Sequence, residues 1–214
     1  MDIPRKVQYV CFVSLFLYTI SPDFVHGKAE LVTCGSVLKL LNTKYKVRLH
    51  SHEVRYATGS EQQSVTGTED QEDINSHWVV GAKPPCFRGE PVVCKGEIRL
   101  THLTTGMNLR SHYFPSPLAR EQEVAAGAED AGDLWKVLCD GPFWRRDEEV
   151  MLKHVSTEVY LAVSGNRFGR PIEGQYEIVG VRGSNSPTRW RVSEGVFIHP
   201  PESKMELHKT HTEL

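Results

Sequence analysis

The sequence predicts an all-β fold, a β-trefoil in which three units close on a pseudo-threefold axis. Three observations carry this. A leucine pair spaced by nine residues occurs three times, as Leu40 and Leu49, Leu100 and Leu109, and Leu152 and Leu161. A tryptophan follows each pair, at Trp78, Trp135 and Trp190, with intervals of 57 and 55 residues. The runs between them alternate as strands do and end at Gly, Asn, Ser or Pro, whereas sustained helical periodicity is missing. The one stretch with helical character, Arg120 to Gly127, is interrupted by glycine. A solenoid also repeats, but its units run ~20 to 45 residues and need capping ends. Closure leaves fewer strand edges exposed.

The chain opens with a short basic stretch (Arg5, Lys6), an apolar run from Val7 to Ile20, and a polar stretch ending Val25-His26-Gly27. These are the three parts of a secretory leader, expected to be cut after Gly27. The apolar run falls short of the ~20 residues of a spanning helix, so the chain is read as not membrane-spanning.

The first unit, about residues 31–87, reads Leu38-Lys39-Leu40, Val47 to His52, Gln63-Ser64-Val65 and Trp78. The second, about 91–142, reads Ile98-Arg99-Leu100, Asn108 to His112, Gln122-Glu123-Val124 and Trp135. The third, about 144–198, reads Met151-Leu152, Val159 to Ser164, Gln175 to Ile178 and Trp190. Three such units of about four strands give some twelve strands in one domain, 28–198. The three periodic tryptophans are assigned to the core, where a large ring has most area to bury. Trp144 lies outside the pattern beside Phe143 and is read as a candidate for the surface.

Five cysteines form an odd set, but the leader removes Cys11 and leaves Cys34, Cys86, Cys94 and Cys139. In a secretory compartment an even set reads as two disulfides. The order of the cysteines within the units favours Cys34 with Cys86 and Cys94 with Cys139, although sequence alone leaves three connectivities open. The tail, 199–214, ends His211-Thr212-Glu213-Leu214. It resembles the K-D-E-L tetrapeptide read by a retrieval receptor, with Thr212 in place of the usual acid. Leader and tail together place the protein in the lumen of the endoplasmic reticulum.

Several stretches resemble the stromal cell-derived factor 2 family, and in particular its 2-like branch. They are Glu30 to Thr43, Arg48-Leu49-His50-Ser51-His52, Gln62 to Gly67, and His112-Tyr113-Phe114-Pro115-Ser116-Pro117-Leu118. The resemblance implies a β-trefoil of three MIR units without catalysis or cofactor. It also implies partnership with a lumenal J-domain co-chaperone and the heat-shock chaperone it serves, acting on misfolded secretory proteins. The same units occur in protein O-mannosyltransferases, which makes a lectin-like trefoil recognising glycans or O-mannosylated clients the alternative.

Charge and motifs narrow the chemistry. With 25 basic and 27 acidic residues the chain lacks the field of a nucleic-acid binder. No phosphate-cradling G-x-x-x-x-G-K-[ST], His-Pro-Asp, C-x-x-C, H-E-x-x-H or G-x-S-x-G occurs. These gaps speak against an ATP-driven chaperone, a J-domain, thiol exchange, zinc and a hydrolase. The residues two before each tryptophan, Ser76, Asp133 and Thr188, depart from the Gln of Gln-x-Trp lectins.

His50, His52 and His112 stand at corresponding places and are candidate ligand or partner positions. Two acidic loops precede Trp78 and Trp135, Glu69 to Asp73 and Glu129 to Asp133. Their spacing does not match an EF-hand. Solvated charge is the default reading for them, with partner docking through Asp70 and Asp73 as the functional one.

Overall fold

A computed structural model describes residues 31–83 and 86–199. The leader, Met1 to Gly27, and the tetrapeptide His211 to Leu214 lie outside them. Twelve antiparallel strands follow in chain order: β1 (Val37–Asn42), β2 (Arg48–Arg55), β3 (Gln63–Thr68), β4 (Trp78–Lys83), β5 (Glu97–His102), β6 (Asn108–Pro115), β7 (Gln122–Gly127), β8 (Trp135–Leu138), β9 (Met151–His154), β10 (Tyr160–Arg167), β11 (Tyr176–Val181) and β12 (Trp190–Val196). Helix among the described residues is confined to two 3-10 turns, Ile74–Ser76 and Ser186–Thr188.

The sheet closes on itself. Strands β12, β1, β4, β5, β8 and β9 pair in succession, and a bridge between Val150 and Trp190 joins the ends. The remaining strands form three hairpins, β2–β3, β6–β7 and β10–β11. Their second strands meet in a triangle, β3 with β7, β7 with β11 and β11 with β3. Such closure pairs backbone groups that an open sheet would leave at its edges.

The nine-residue leucine spacing has a direct structural meaning. Leu40, Leu100 and Leu152 point inward from β1, β5 and β9, and Leu49, Leu109 and Leu161 from the hairpins, all fully buried. Each periodic tryptophan is fully buried as well. Its indole N–H donates to the backbone carbonyl of the hairpin leucine, Trp78 to Leu49, Trp135 to Leu109 and Trp190 to Leu161, each at 2.9 Å. The bond satisfies the one polar atom of the ring, so its burial carries no unpaired donor.

One expectation is corrected, and one ambiguous stretch is assigned. The stretch read as helix-like is β7, which pairs with β6, β3 and β11. Its run Val124-Ala125-Ala126 is buried between partners on both sides, and the small residues that suggested helix there fit a crowded junction. Trp144 is not at the surface but fully buried. Its backbone N–H donates to Val92 O and its carbonyl accepts from Val32 N, at 2.8 and 2.9 Å. Bridges Leu31–Arg145, Thr33–Pro91 and Val93–Phe143 tie the three unit starts together, making Trp144 the counterpart of Val32 and Val92. One tryptophan and two valines thus plug this end of the barrel.

Cys34 is bonded to Cys86 and Cys94 to Cys139, with Cα atoms 6.2 and 5.4 Å apart. The third unit has Arg146 at the position of Cys34 and Cys94, two residues after the plug residue. Its guanidinium lies 3.5 Å from the ring centroid of Phe197, so a cation–π contact joins the start and end of the unit without a cysteine pair.

Candidate functional site

The sheet registers define the corresponding positions. Arg55 faces Gln63, Pro115 faces Gln122 and Arg167 faces Tyr176 across the three hairpins. This aligns Gln63 and Gln122 with Tyr176 rather than with Gln175, a one-residue difference from the sequence-based superposition. The same registers place His50 with Arg110 and Ala162, and His52 with His112 and Ser164.

His50, His52 and Asp73 come together. His50 Nδ1 lies 2.8 Å from Asp73 Oδ2, and His50 Nε2 lies 2.9 Å from His52 Nδ1. Ser76 Oγ also donates to Asp73 Oδ2. His50 is buried and His52 half-buried. Partial burial alone would push the Asp73 carboxyl up, but hydrogen bonds from His50, Ser76 and the Asn75 amide hold it at about 2. An ionised Asp73 requires a proton on His50 Nδ1. With neutral rings, His50 Nε2 then accepts from His52 Nδ1–H and leaves His52 Nε2 as the outward acceptor. Burial lowers the His52 pKa further, helped by neighbouring His50. The chain of groups can hold and orient a proton. The one hydroxyl bonded to it, Ser76, is fully buried and donates to the carboxylate, so it is not poised as a nucleophile.

The other named candidates do not join this cluster. Asp70 is exposed and shapes its own loop, accepting from the Glu72 amide at 3.0 Å. His112 belongs to the second unit, where Asp130 pairs with both Arg110 and His112. Burial and the Arg110 charge lower the His112 pKa. The acidic loops are not uniformly solvated. Asp133 is fully buried, holding Arg99 Nε at 2.9 Å and the Asn108 amide at 2.9 Å, so the default reading fails at Asp73 and Asp133. Loop closure brings these carboxylates over strand residues that one-dimensional charge counting does not see.

The structure adds a repeated polar junction between hairpins. The Gln63 side-chain amide donates to Ser51 Oγ and Thr105 Oγ1 at 2.7 and 2.9 Å. Thr105 in turn meets His102 Nδ1 at 2.9 Å, and His102 Nε2–H donates to Asn75 O. Gln122, Ser111, Thr157, His154 and Gly132 O repeat every link. Burial holds both histidines below the usual imidazole range, which suits neutral rings that accept from threonine and donate to carbonyl. The third junction differs: Tyr45 and Tyr176 stand where threonine and glutamine stand elsewhere, their centroids 5.5 Å apart. The signal in the sequence is His-x-x-Thr, present at His102 to Thr105 and His154 to Thr157 but replaced by Asn42 to Tyr45.

Clefts open at the two glutamine junctions. The first, about 600 Å³, is lined by Arg55, Gln63, Thr105, Met107, Arg110 and Ala128 among others. The second, about 290 Å³, is lined by Tyr113, Phe114, Arg120 and Arg182 among others. A side chain at Gly127 would strike the Arg110 guanidinium, so this glycine gives Arg110 its path along the floor of the first cleft. Above the second cleft Tyr113 and Phe114 are exposed on a fixed hairpin tip. The buried Glu177 carboxylate accepts from the Leu118 and Ala119 amides at 2.7 and 3.0 Å and pins that loop. Among the described residues no group of three His, Cys, Asp or Glu side chains is placed to hold a metal.

A MIR domain model matches residues 39–131. Human stromal cell-derived factor 2 is 53% identical over 86% of this chain and 90% of its own length. Mouse stromal cell-derived factor 2-like protein 1 is 50% identical over 88% of this chain and 86% of its own. The crystal structure of the SDF2-like protein from Arabidopsis thaliana superposes with a TM-score of 0.78 at 37% identity, covering 81% of this chain and all of that one. With identity at this level across most of both chains, this protein belongs to the stromal cell-derived factor 2 family.

Proposed function

We propose that this chain is a non-catalytic quality-control protein of the endoplasmic reticulum lumen. It is a β-trefoil of three MIR units, freed of its leader after Gly27 and returned by a retrieval receptor that reads His211 to Leu214. It serves as an accessory to a lumenal J-domain co-chaperone and its heat-shock chaperone, and it binds misfolded secretory proteins. The observation that carries this reading is the identity of about half its residues with stromal cell-derived factor 2 proteins over most of both chains.

The polar side chains support a binding rather than a catalytic role. His50, Asp73 and Ser76 spend their side-chain hydrogen bonds within their cluster, which leaves His52 Nε2 over as an acceptor. Ser76, Asp133 and Thr188, which replace the lectin glutamine, are fully buried, and Asp133 and Thr188 are committed to internal partners. Affinity capture from lumenal extract tests the proposal. A J-domain protein with its heat-shock chaperone is the expected catch; glycans or glycosyltransferases alone would replace the accessory role with the lectin one.

A further inference from the structure

The three hairpin junctions are built on one plan, and the third is filled by the protein itself. There Arg167 Nη2 grips Glu69 Oε1 at 2.8 Å, its guanidinium stacks 4.0 Å from the centre of the Tyr176 ring, and Tyr45 packs against Tyr176. The registers give the matching positions in the first cleft. Arg55 stands for Arg167, Ala128 for Glu69, Gln63 for Tyr176 and Thr105 for Tyr45. The first junction therefore keeps the guanidinium but has lost the carboxylate and both rings that occupy it at the third, and a cleft of about 600 Å³ stands in their place.

The cleft also has unmatched polar and apolar groups. Among the described residues no carboxylate lies within ion-pair reach of Arg55, which is exposed, and Glu53 at the rim does not pair with it. Arg110 is more than nine-tenths buried on the floor, and its Nε has no acceptor. Met107 is partly exposed and offers a deformable apolar surface beside Thr105, of the kind that suits aromatic rings. The second cleft does not repeat this set: Pro115 takes the place of Arg55, and the guanidinium groups on its walls, Arg120 and Arg182, come from positions other than that of Arg167.

We infer that the cleft between the β2–β3 and β6–β7 hairpins binds an extended polypeptide segment bearing an aromatic and an acidic side chain on one face. The carboxylate pairs with Arg55 as Glu69 pairs with Arg167, and the ring lies over Met107 and Thr105 in the space that Tyr45 and Tyr176 fill elsewhere. In an extended chain residues i and i+2 share a face, so glutamate and tyrosine with one residue between them present both groups together. This rests on the client-binding role proposed above and gives it a location and a chemistry. The third junction is the in-chain template for the complex.

The probe is a blocked Gly/Ser nonapeptide containing Glu-Ser-Tyr, with Gln-Ser-Tyr and Glu-Ser-Ala controls, followed by amide chemical shifts in the full mature chain. The first peptide is expected to perturb residues around Arg55, Thr105 and Met107, and both controls to bind at least tenfold more weakly. Arg55→Ala, at an exposed position, is expected to weaken binding about tenfold. The triple change Gln63→Tyr, Thr105→Tyr and Ala128→Glu copies the third junction into the first and is expected to abolish it. Tyr45→Thr, Tyr176→Gln and Glu69→Ala together open the third junction and are expected to raise the stoichiometry from one peptide to two. No binding by the native chain, equal binding of the Gln control, binding undiminished in Arg55→Ala, or shifts confined to another face would each overturn the inference. Capture of the J-domain protein is scored separately: capture without peptide binding removes the cleft and leaves the accessory role, whereas peptide binding without capture does the reverse.

Discussion

His52 stands at the outer end of a chain that runs through His50 to an ionised Asp73, and acid acts on that arrangement directly. The histidines at 52, 102, 112 and 154 are all held below the ordinary imidazole range, in each case first by burial. An unfolded chain takes up these protons near pH ~6.5, whereas the folded chain resists them to lower pH. Between those limits the unfolded state holds more protons, so stability rises with pH and is lost on acidification. The urea midpoint is expected to fall from pH 7.5 through 6 to 5; a flat or rising midpoint contradicts this. Asp73, held at about 2 when folded, adds a second loss as pH drops from ~4 towards 2. Replacing Asp73 by alanine removes the acceptor for both His50 and Ser76 and is expected to cost about 2 kcal/mol in the same assay at pH 7. Trp144→Ala is expected to cost ~3 to 5 kcal/mol, because a fully buried ring at the plug leaves a cavity that valines on either side cannot fill.

At the scale of elements, the units are closed in two ways. Cys34–Cys86 and Cys94–Cys139 span 52 and 45 residues, and each constrains the unfolded chain by ~4 kcal/mol in the loop-entropy description. Reduction is therefore expected to lower the denaturation midpoint substantially, and it leaves the Arg146–Phe197 contact of the third unit untouched. Phe197→Ala is expected to cost only about 1 kcal/mol, since a single cation–π pair does not constrain the unfolded chain. The β6–β7 loop is fixed by one carboxylate. Glu177→Ala frees the Leu118 and Ala119 amides, and hydrogen exchange at those two residues is expected to quicken while β11 amides stay protected. Uniform loss of protection would show instead that Glu177 holds the whole barrel.

For the whole molecule, residence in the lumen is proposed to depend on a free C-terminus at Leu214. Adding one residue after Leu214 is expected to divert the protein to the medium; retention unchanged by the addition would point to a partner as the anchor. The chain is close to neutral overall, at a net charge of −2, so the binding proposed above is expected to depend on shaped junctions more than on long-range attraction.

The sequence by itself determined the period, the strand character, and the buried tryptophans and leucines, because one side chain repeated at a constant interval reports a core position filled three times. It also pointed to the family, through the resemblance carried by runs such as Arg48 to His52. Trp144 escaped that reading because its counterparts are Val32 and Val92, a threefold position without a common residue. Arg55 and Thr105 were equally silent, and Gln63 and Arg110 showed only as members of repeat segments: their meaning comes from facing one another across two hairpins. Only the tertiary structure decided that Gln–Thr junctions stand open while the Tyr–Tyr junction is filled. The physical reason is that strand registers, set by pairing between units, determine which distant side chains share a cleft, and no local pattern encodes those registers.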